Sequence, residues 1–187
     1  MNKWLSAFAG LALGLMQVSM ASAGNFWEHR DWSVDRLGEL VRYTTHGSVV
    51  HGHEFGFLLR PGDCREVLWL SWSTYDDGVY ELSGERTRFQ LELDGMRGML
   101  SAPLGLVEEL TPMLPMTKVM VFSDVLLRPE FMRELEKGQG LEVRVIGPDE
   151  MLRVLDVAED QFSLMGFTAT RLKAREWCEG NAPGGGA

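Results

Sequence analysis

Short runs in which apolar and polar side chains alternate, each closed by a turn signal, recur along this chain and restrict it to a sheet-built fold. Phe89, Leu91 and Leu93 alternate with Arg88, Gln90, Glu92 and Asp94, and Leu141, Val143 and Val145 alternate with Glu142 and Arg144. A period of two sends one set to a dry face and the other to a wet face. The segment from Glu66 to Ser73 is apolar on both faces, which predicts a central strand. Further strands are predicted at Trp32 to Leu37, Leu40 to Thr45, Phe55 to Arg60, Arg97 to Ser101, Lys118 to Ser123, Met151 to Asp156 and Gln161 to Leu164. Turn chemistry separates them, as Arg60-Pro61-Gly62-Asp63, Asp76-Asp77-Gly78 and Gly147-Pro148-Asp149. Asp94-Gly95 between two alternating runs is the sharpest hairpin signal, because both residues accept the positive φ of a tight turn.

Two helices interrupt the pattern. One is predicted near 129–137, starting at Pro129, placing Phe131, Met132 and Leu135 on one side and stopping at Gly138. The other is predicted near 167–178, with Phe167, Ala174 and Cys178 on one face. The expected fold class is therefore mainly β, with sandwich-like antiparallel sheets and these two helices.

The first residues carry a basic Lys3, an uncharged apolar stretch from Leu5 to Val18, and Ala21-Ser22-Ala23 before Gly24. That order of basic, apolar and small residues is a secretory signal peptide, and the apolar stretch is too short to span a bilayer. The expected organisation is a signal peptide over 1–23, one β-rich domain over 24–179 and a flexible tail over 180–187. Export gives a periplasmic or secreted protein with no membrane span after cleavage. The net charge of −9 argues against a nucleic-acid partner, since phosphate binding runs on a basic surface.

Cys64 and Cys178 are the only two cysteines, and in an oxidising compartment their simplest state is a disulfide. A closed loop of more than a hundred residues would remove on the order of 4 to 5 kcal/mol of unfolded-state entropy in the loop model.

All four histidines lie between His29 and His53. If His51 and His53 stood in one strand, both rings would share a side, and with His46 and Glu54 they would offer nitrogen and oxygen ligands to zinc or copper. The alternative is a glycine-bearing turn in which these residues are merely polar. Methionines cluster as Met96 with Met99 and as Met113, Met116 and Met120. Their thioethers suit Cu(I), but methionine also fills cores and forms adaptable contact surfaces. The Pro-interrupted segment from Leu104 to Met116 is predicted as a loop presenting Met113, Leu114 and Met116 to a partner. Trp27 and Trp32 join them as candidate contacts, the alternative being that they staple the first strand to the sheet.

Two resemblances bear on function. His51-Gly52 followed by Gly62-Asp63-Cys64-Arg65 resembles L,D-transpeptidases, which implies a cysteine-dependent cell-wall enzyme with a histidine-activated thiolate. Asp63 here separates the glycine from the cysteine, and no serine stands three positions before Cys64. The closing segment Phe162-Ser163-Leu164-Met165-Gly166-Phe167-Thr168-Ala169, running through a helix to Cys178, resembles the invasion-associated locus B group of small exported bacterial proteins. That resemblance implies a β-sandwich and a binding or envelope role without known catalysis, and it transfers no functional residues.

The reading that follows is an exported, non-catalytic envelope protein that binds another envelope or secreted protein, or supports envelope assembly or host interaction, and needs no cofactor. A copper or zinc binding protein and a cell-wall cysteine enzyme are the alternatives. Intact-mass measurement of the purified protein should show a gain of two hydrogens on reduction; no gain would mean that both thiols are free.

Overall fold

The computed structural model describes residues 25–109 and 117–180. The expected signal peptide, the contact candidates Met113, Leu114 and Met116, and all of the expected tail beyond Gly180 lie outside the described residues. The fold is mainly β, and the described residues form ten strands in one antiparallel sheet whose order is β1-β2-β3-β4-β5-β8-β7-β6-β9-β10. The strands are β1 (Phe26–His29), β2 (Trp32–Leu37), β3 (Leu40–His46), β4 (Glu54–Leu59), β5 (Glu66–Thr74), β6 (Arg86–Leu93), β7 (Met96–Glu109), β8 (Lys118–Phe122), β9 (Gly140–Gly147) and β10 (Glu159–Ser163). Helices α1 (Pro129–Lys137), α2 (Asp149–Val154) and α3 (Phe167–Glu179) and a 3-10 turn over Asp77–Leu82 complete it.

The sheet folds over on β7. The first half of this strand pairs with β6 from Met96 to Pro103, and the second half pairs with β8 from Leu104 to Glu109, with a register shift between Leu104 and Leu106. Pro103 stands where the strand changes partner, the kind of irregular position at which a missing N–H is tolerated in a sheet. One leaf is thus β1 to β5 with β8, and the other is β6, β9 and β10. Their inner faces meet in edge-on and tilted ring contacts: Phe89 on Phe122 at 5.0 Å, Phe55 on Phe162 at 5.8 Å and Trp72 on Phe162 at 6.2 Å. The alternating residues Phe89, Leu91, Leu93, Leu141, Val143 and Val145 are all buried, as period two requires.

Three differences from the sequence reading have local causes. Residues Met151 to Asp156, predicted as a strand, form α2 and the turn after it; Asp149 and Glu150 in its first turn favour a helix start, and Met151 is its buried residue. A six-residue stretch with apolar residues at Met151, Leu152, Val154 and Leu155 does not distinguish the two periods, so only packing decides. Leu104 to Glu109, predicted as a loop, is the second half of β7. The short β1 was not predicted, because Phe26–His29 has little alternation of its own.

The third structural layer is α3. It begins at Gly166, whose φ of 106° and close approach to the His29 carbonyl leave no room for a β-carbon. Phe167 then enters the core between Trp32 (5.0 Å), Tyr43 (6.1 Å) and Phe57 (6.1 Å). At its far end the helix is bonded to the sheet, Cys178 to Cys64, with a Cα separation of 5.9 Å. Between these points lies a carboxylate clamp. Glu66, at the start of β5, receives two hydrogen bonds of 2.6 Å from Arg171, one of 3.0 Å from Arg175 and one of 2.9 Å from the Tyr43 hydroxyl.

Burial opposes the charge on Glu66, but the hydrogen bonds and positive charges of Arg171 and Arg175 outweigh it and hold the carboxyl below its usual range. Burial and the Glu66 charge together push the Tyr43 hydroxyl well above its usual value, so it remains a donor. A carboxyl depressed in the folded state adds stability at pH values above its unfolded pKa and loses it as acid protonates the folded group. Glu66→Gln should therefore cost about 3 kcal/mol at pH 7, because it leaves two guanidinium groups partly buried without their countercharge. Urea denaturation should show the gap between wild type and variant closing as the pH falls below the ordinary glutamate range near 4.5.

Candidate functional site

The histidine run does not form a single ligand set. His46 ends β3, and its ring lies 4.3 Å from that of His51, with its Nδ1 3.9 Å from Glu54 Oε1. The other Glu54 oxygen is engaged by Arg42 at 3.1 Å and by the Trp69 indole at 3.0 Å. His53 is turned inward and buried, stacked on Trp72 at 4.2 Å. The expected pairing of His51 with His53 fails because residues 51 and 52 form a turn, closed by the His53 N–H donating to the Val50 carbonyl at 2.9 Å. A turn removes the strand alternation on which the shared face depended. Among the described residues, no group of three or more His, Cys, Asp or Glu side chains is spaced to hold a metal ion.

His53 instead serves a buried clasp. Asp160 on β10 is fully buried, and it accepts the amides of Val49 (2.8 Å), Val50 (2.9 Å) and Gln161 (2.7 Å). Its Oδ2 also lies 2.9 Å from His53 Nδ1. With the carboxylate as acceptor, Nδ1 carries the proton and donates, and Nε2 is left buried without a hydrogen-bond partner among the described residues. The Asp160 carboxylate packs so closely on Gly47 that a β-carbon there would collide with it. Sequence reasoning missed Asp160, because the predicted strand began only at Gln161 and an acid next to Glu159 reads as solvent-facing.

The methionines and tryptophans divide between core and surface. Met120 is buried in β8 as part of the core, and Trp32 is a core residue rather than a contact candidate. Trp32 has no exposed surface, because Phe167 packs on it and its indole donates to the Ser163 carbonyl at 2.8 Å. Trp27 is half-buried against the core and stacked on His29 at 5.7 Å, the stapling arrangement. Met96 and Met99 remain exposed. With Leu126, Leu127 and Phe131 they line a cleft of about 590 Å³ whose rim carries Arg97, Arg128 and Glu130. The Phe131 ring lies against Gly98, within van der Waals contact of where a β-carbon would stand. The methionine pair was visible in the sequence, but Leu126 and Phe131 come from a different segment and only the fold brings them to it.

Cys64 carries no free thiolate in the structure, since its sulfur is bonded to Cys178, so the nucleophile required by a cysteine-enzyme mechanism is absent from this state. Among the described residues, no helix is long and apolar enough to cross a membrane.

No protein-family model matches the chain, and no curated protein is similar to it. Among solved structures, it is similar to the crystal structure of invasion associated protein B from Bartonella henselae. The identity is 12% and the TM-score 0.33, over 78% of this chain and 98% of that one. The resemblance is weak.

Burial pulls the His53 pKa below the ordinary 6.5, against the opposing pull of Asp160. The unfolded chain therefore takes up the histidine proton first as the pH falls. Stability from this group is complete above pH 6.5 and declines below it, by up to about 1.4 kcal/mol per pH unit, until the folded imidazole is itself protonated. Urea midpoints at pH 7.5, 6.5 and 5.5 should fall for the wild type, and His53→Gln should start lower but follow a flatter line. Parallel lines would show that another group sets the slope.

Proposed function

We propose that this chain is an exported binding protein of the cell envelope that holds a partner protein at the cleft lined by Met96, Met99, Leu126 and Phe131. The observation that carries the reading is the exposure of Met99 (62%) and Leu126 (53%) in one cleft. Apolar side chains gathered in a concave surface are favoured contact points, and methionine adapts its shape to what it meets. Arg97, paired with Glu92 at 2.9 Å, and Arg128 share the rim with Glu130, so the rim offers both signs of charge around the apolar anchors. The N-terminal signal pattern supports export, and so does the bond between Cys64 and Cys178, since such bonds persist in oxidising compartments.

The test uses the purified protein, immobilised and exposed to a native envelope extract. A partner retained by the wild type should be lost on both Met99→Lys and Leu126→Lys, each with an unchanged melting temperature. Placing a charge in an apolar contact removes burial worth about 1.5 to 3 kcal/mol, a weakening of about tenfold or more. Retention of the same proteins by wild type and both variants would refute the assignment of the cleft.

A further inference from the structure

A second cleft, of about 600 Å³, is bounded by the Asp63 to Glu66 segment, the start of α1 and the exposed side of α3. Four of the chain's 18 basic residues line it, namely Arg65, Arg133, Arg171 and Arg175, against two acids, Asp63 and Glu66. Each of these guanidinium groups faces a carboxylate, Arg65 with Asp63, Arg133 with Glu130, and Arg171 and Arg175 with Glu66. Leu126, Leu127, Pro129 and Met132 supply apolar walls beside them.

The four arginines are not equally committed. Arg171 is held in a two-pronged contact with Glu66 and also reaches Glu136, which raises its pKa further. Arg175 gives Glu66 one nitrogen at 3.0 Å and keeps a side chain 41% exposed. Arg133 and Arg65 are both more than 60% exposed, and their ion pairs with Glu130 (3.4 Å) and Asp63 (3.1 Å) lie at the surface. Exposed pairs of this kind contribute little to stability and yield readily to a competing anion. Each guanidinium carries five N–H donors, so Arg133 and Arg175 retain donors beyond the bonds described. The Arg171–Glu66 contact shows which ligand chemistry fits here, because the planar fork matches a carboxylate or phosphate edge.

We propose that this cleft binds an oxyanion, carboxylate or phosphate, carried on an apolar body. Arg133 and Arg175 receive the charge, Arg171 stays locked to Glu66 and fixes the position of α3, and Leu127 and Met132 contact the apolar part. The site does not depend on the protein-binding reading. Its charged residues are absent from the methionine cleft, although Leu126 and Leu127 border both.

Calorimetric titration of the purified protein at pH 7 and low salt, with hexanoate, hexyl phosphate and inorganic phosphate, tests it. One or both of the hexyl-chain anions should bind saturably, at least about tenfold more tightly than inorganic phosphate, through burial of the alkyl chain. Arg133→Gln with Arg175→Gln should weaken that binding by at least about tenfold, as expected when charge-assisted hydrogen bonds are removed. A preference for hexanoate would assign an organic acid or peptide carboxylate as the natural group, and a preference for hexyl phosphate a phosphate ester. Because Arg175 touches Glu66, Arg133→Gln alone, which disturbs no buried group, keeps the result interpretable if the double variant is unstable. The proposal is overturned if neither hexyl-chain anion saturates below about 10 mM, if inorganic phosphate binds as tightly, or if the arginine variants bind both hexyl-chain anions as tightly as the wild type does.

Discussion

A single carboxylate, Glu66, holds the C-terminal helix to the sheet, and much of the remaining geometry depends on that attachment. It gathers Tyr43, Arg171 and Arg175 around one pair of oxygens. With α3 fixed, Phe167 is held among Trp32, Tyr43 and Phe57, and Cys178 is brought within bonding distance of Cys64. A buried ion pair of this kind adds little stability over an apolar substitute, but losing one partner is costly, so it acts as a fixed point rather than as a source of net energy. The same clamp aligns two of the arginines that line the neighbouring cleft. Structural and binding roles are therefore divided within one cluster: Arg171 serves the fold, and Arg175 and Arg133 face outward.

The legible parts of the fold were the local ones. Asp94 and Gly95 have φ values of 48° and 82°, and Leu93 pairs with Met96 across a two-residue turn, as that dipeptide demands. Pro129 and Gly166 marked the starts of α1 and α3, and alternation identified the buried residues of β6 and β9. Local cues failed where two conformations shared one pattern, as at Met151 to Val154, or where a turn interrupted an apparent strand, as at His51 and Gly52.

The candidate sites were less legible because their residues come from distant parts of the chain. Arg65, Arg133, Arg171 and Arg175 are scattered in the sequence and ordinary one by one, and only the docking of α1 and α3 beside the Cys64 segment turns them into a group. Asp160 illustrates the same limit from inside the core. Apart from the amide of the next residue, Gln161, its partners lie more than a hundred positions upstream, so nothing near it distinguishes a buried acceptor of three amides from a solvated acid.

That separation has a consequence for the order in which the protein can be built. The amides of Val49 and Val50 find their acceptor on β10, the indole of Trp32 finds its acceptor at Ser163, and the Tyr43 hydroxyl bonds a carboxylate that α3 completes. The first leaf thus has several polar groups and an aromatic interior that stay unsatisfied until β10 and α3 have docked. Non-local closure of this sort is slow, and it keeps the chain open until those distant elements are present. A chain that cannot lock early remains threadable, which is the state in which a polypeptide can be passed lengthwise through a narrow channel.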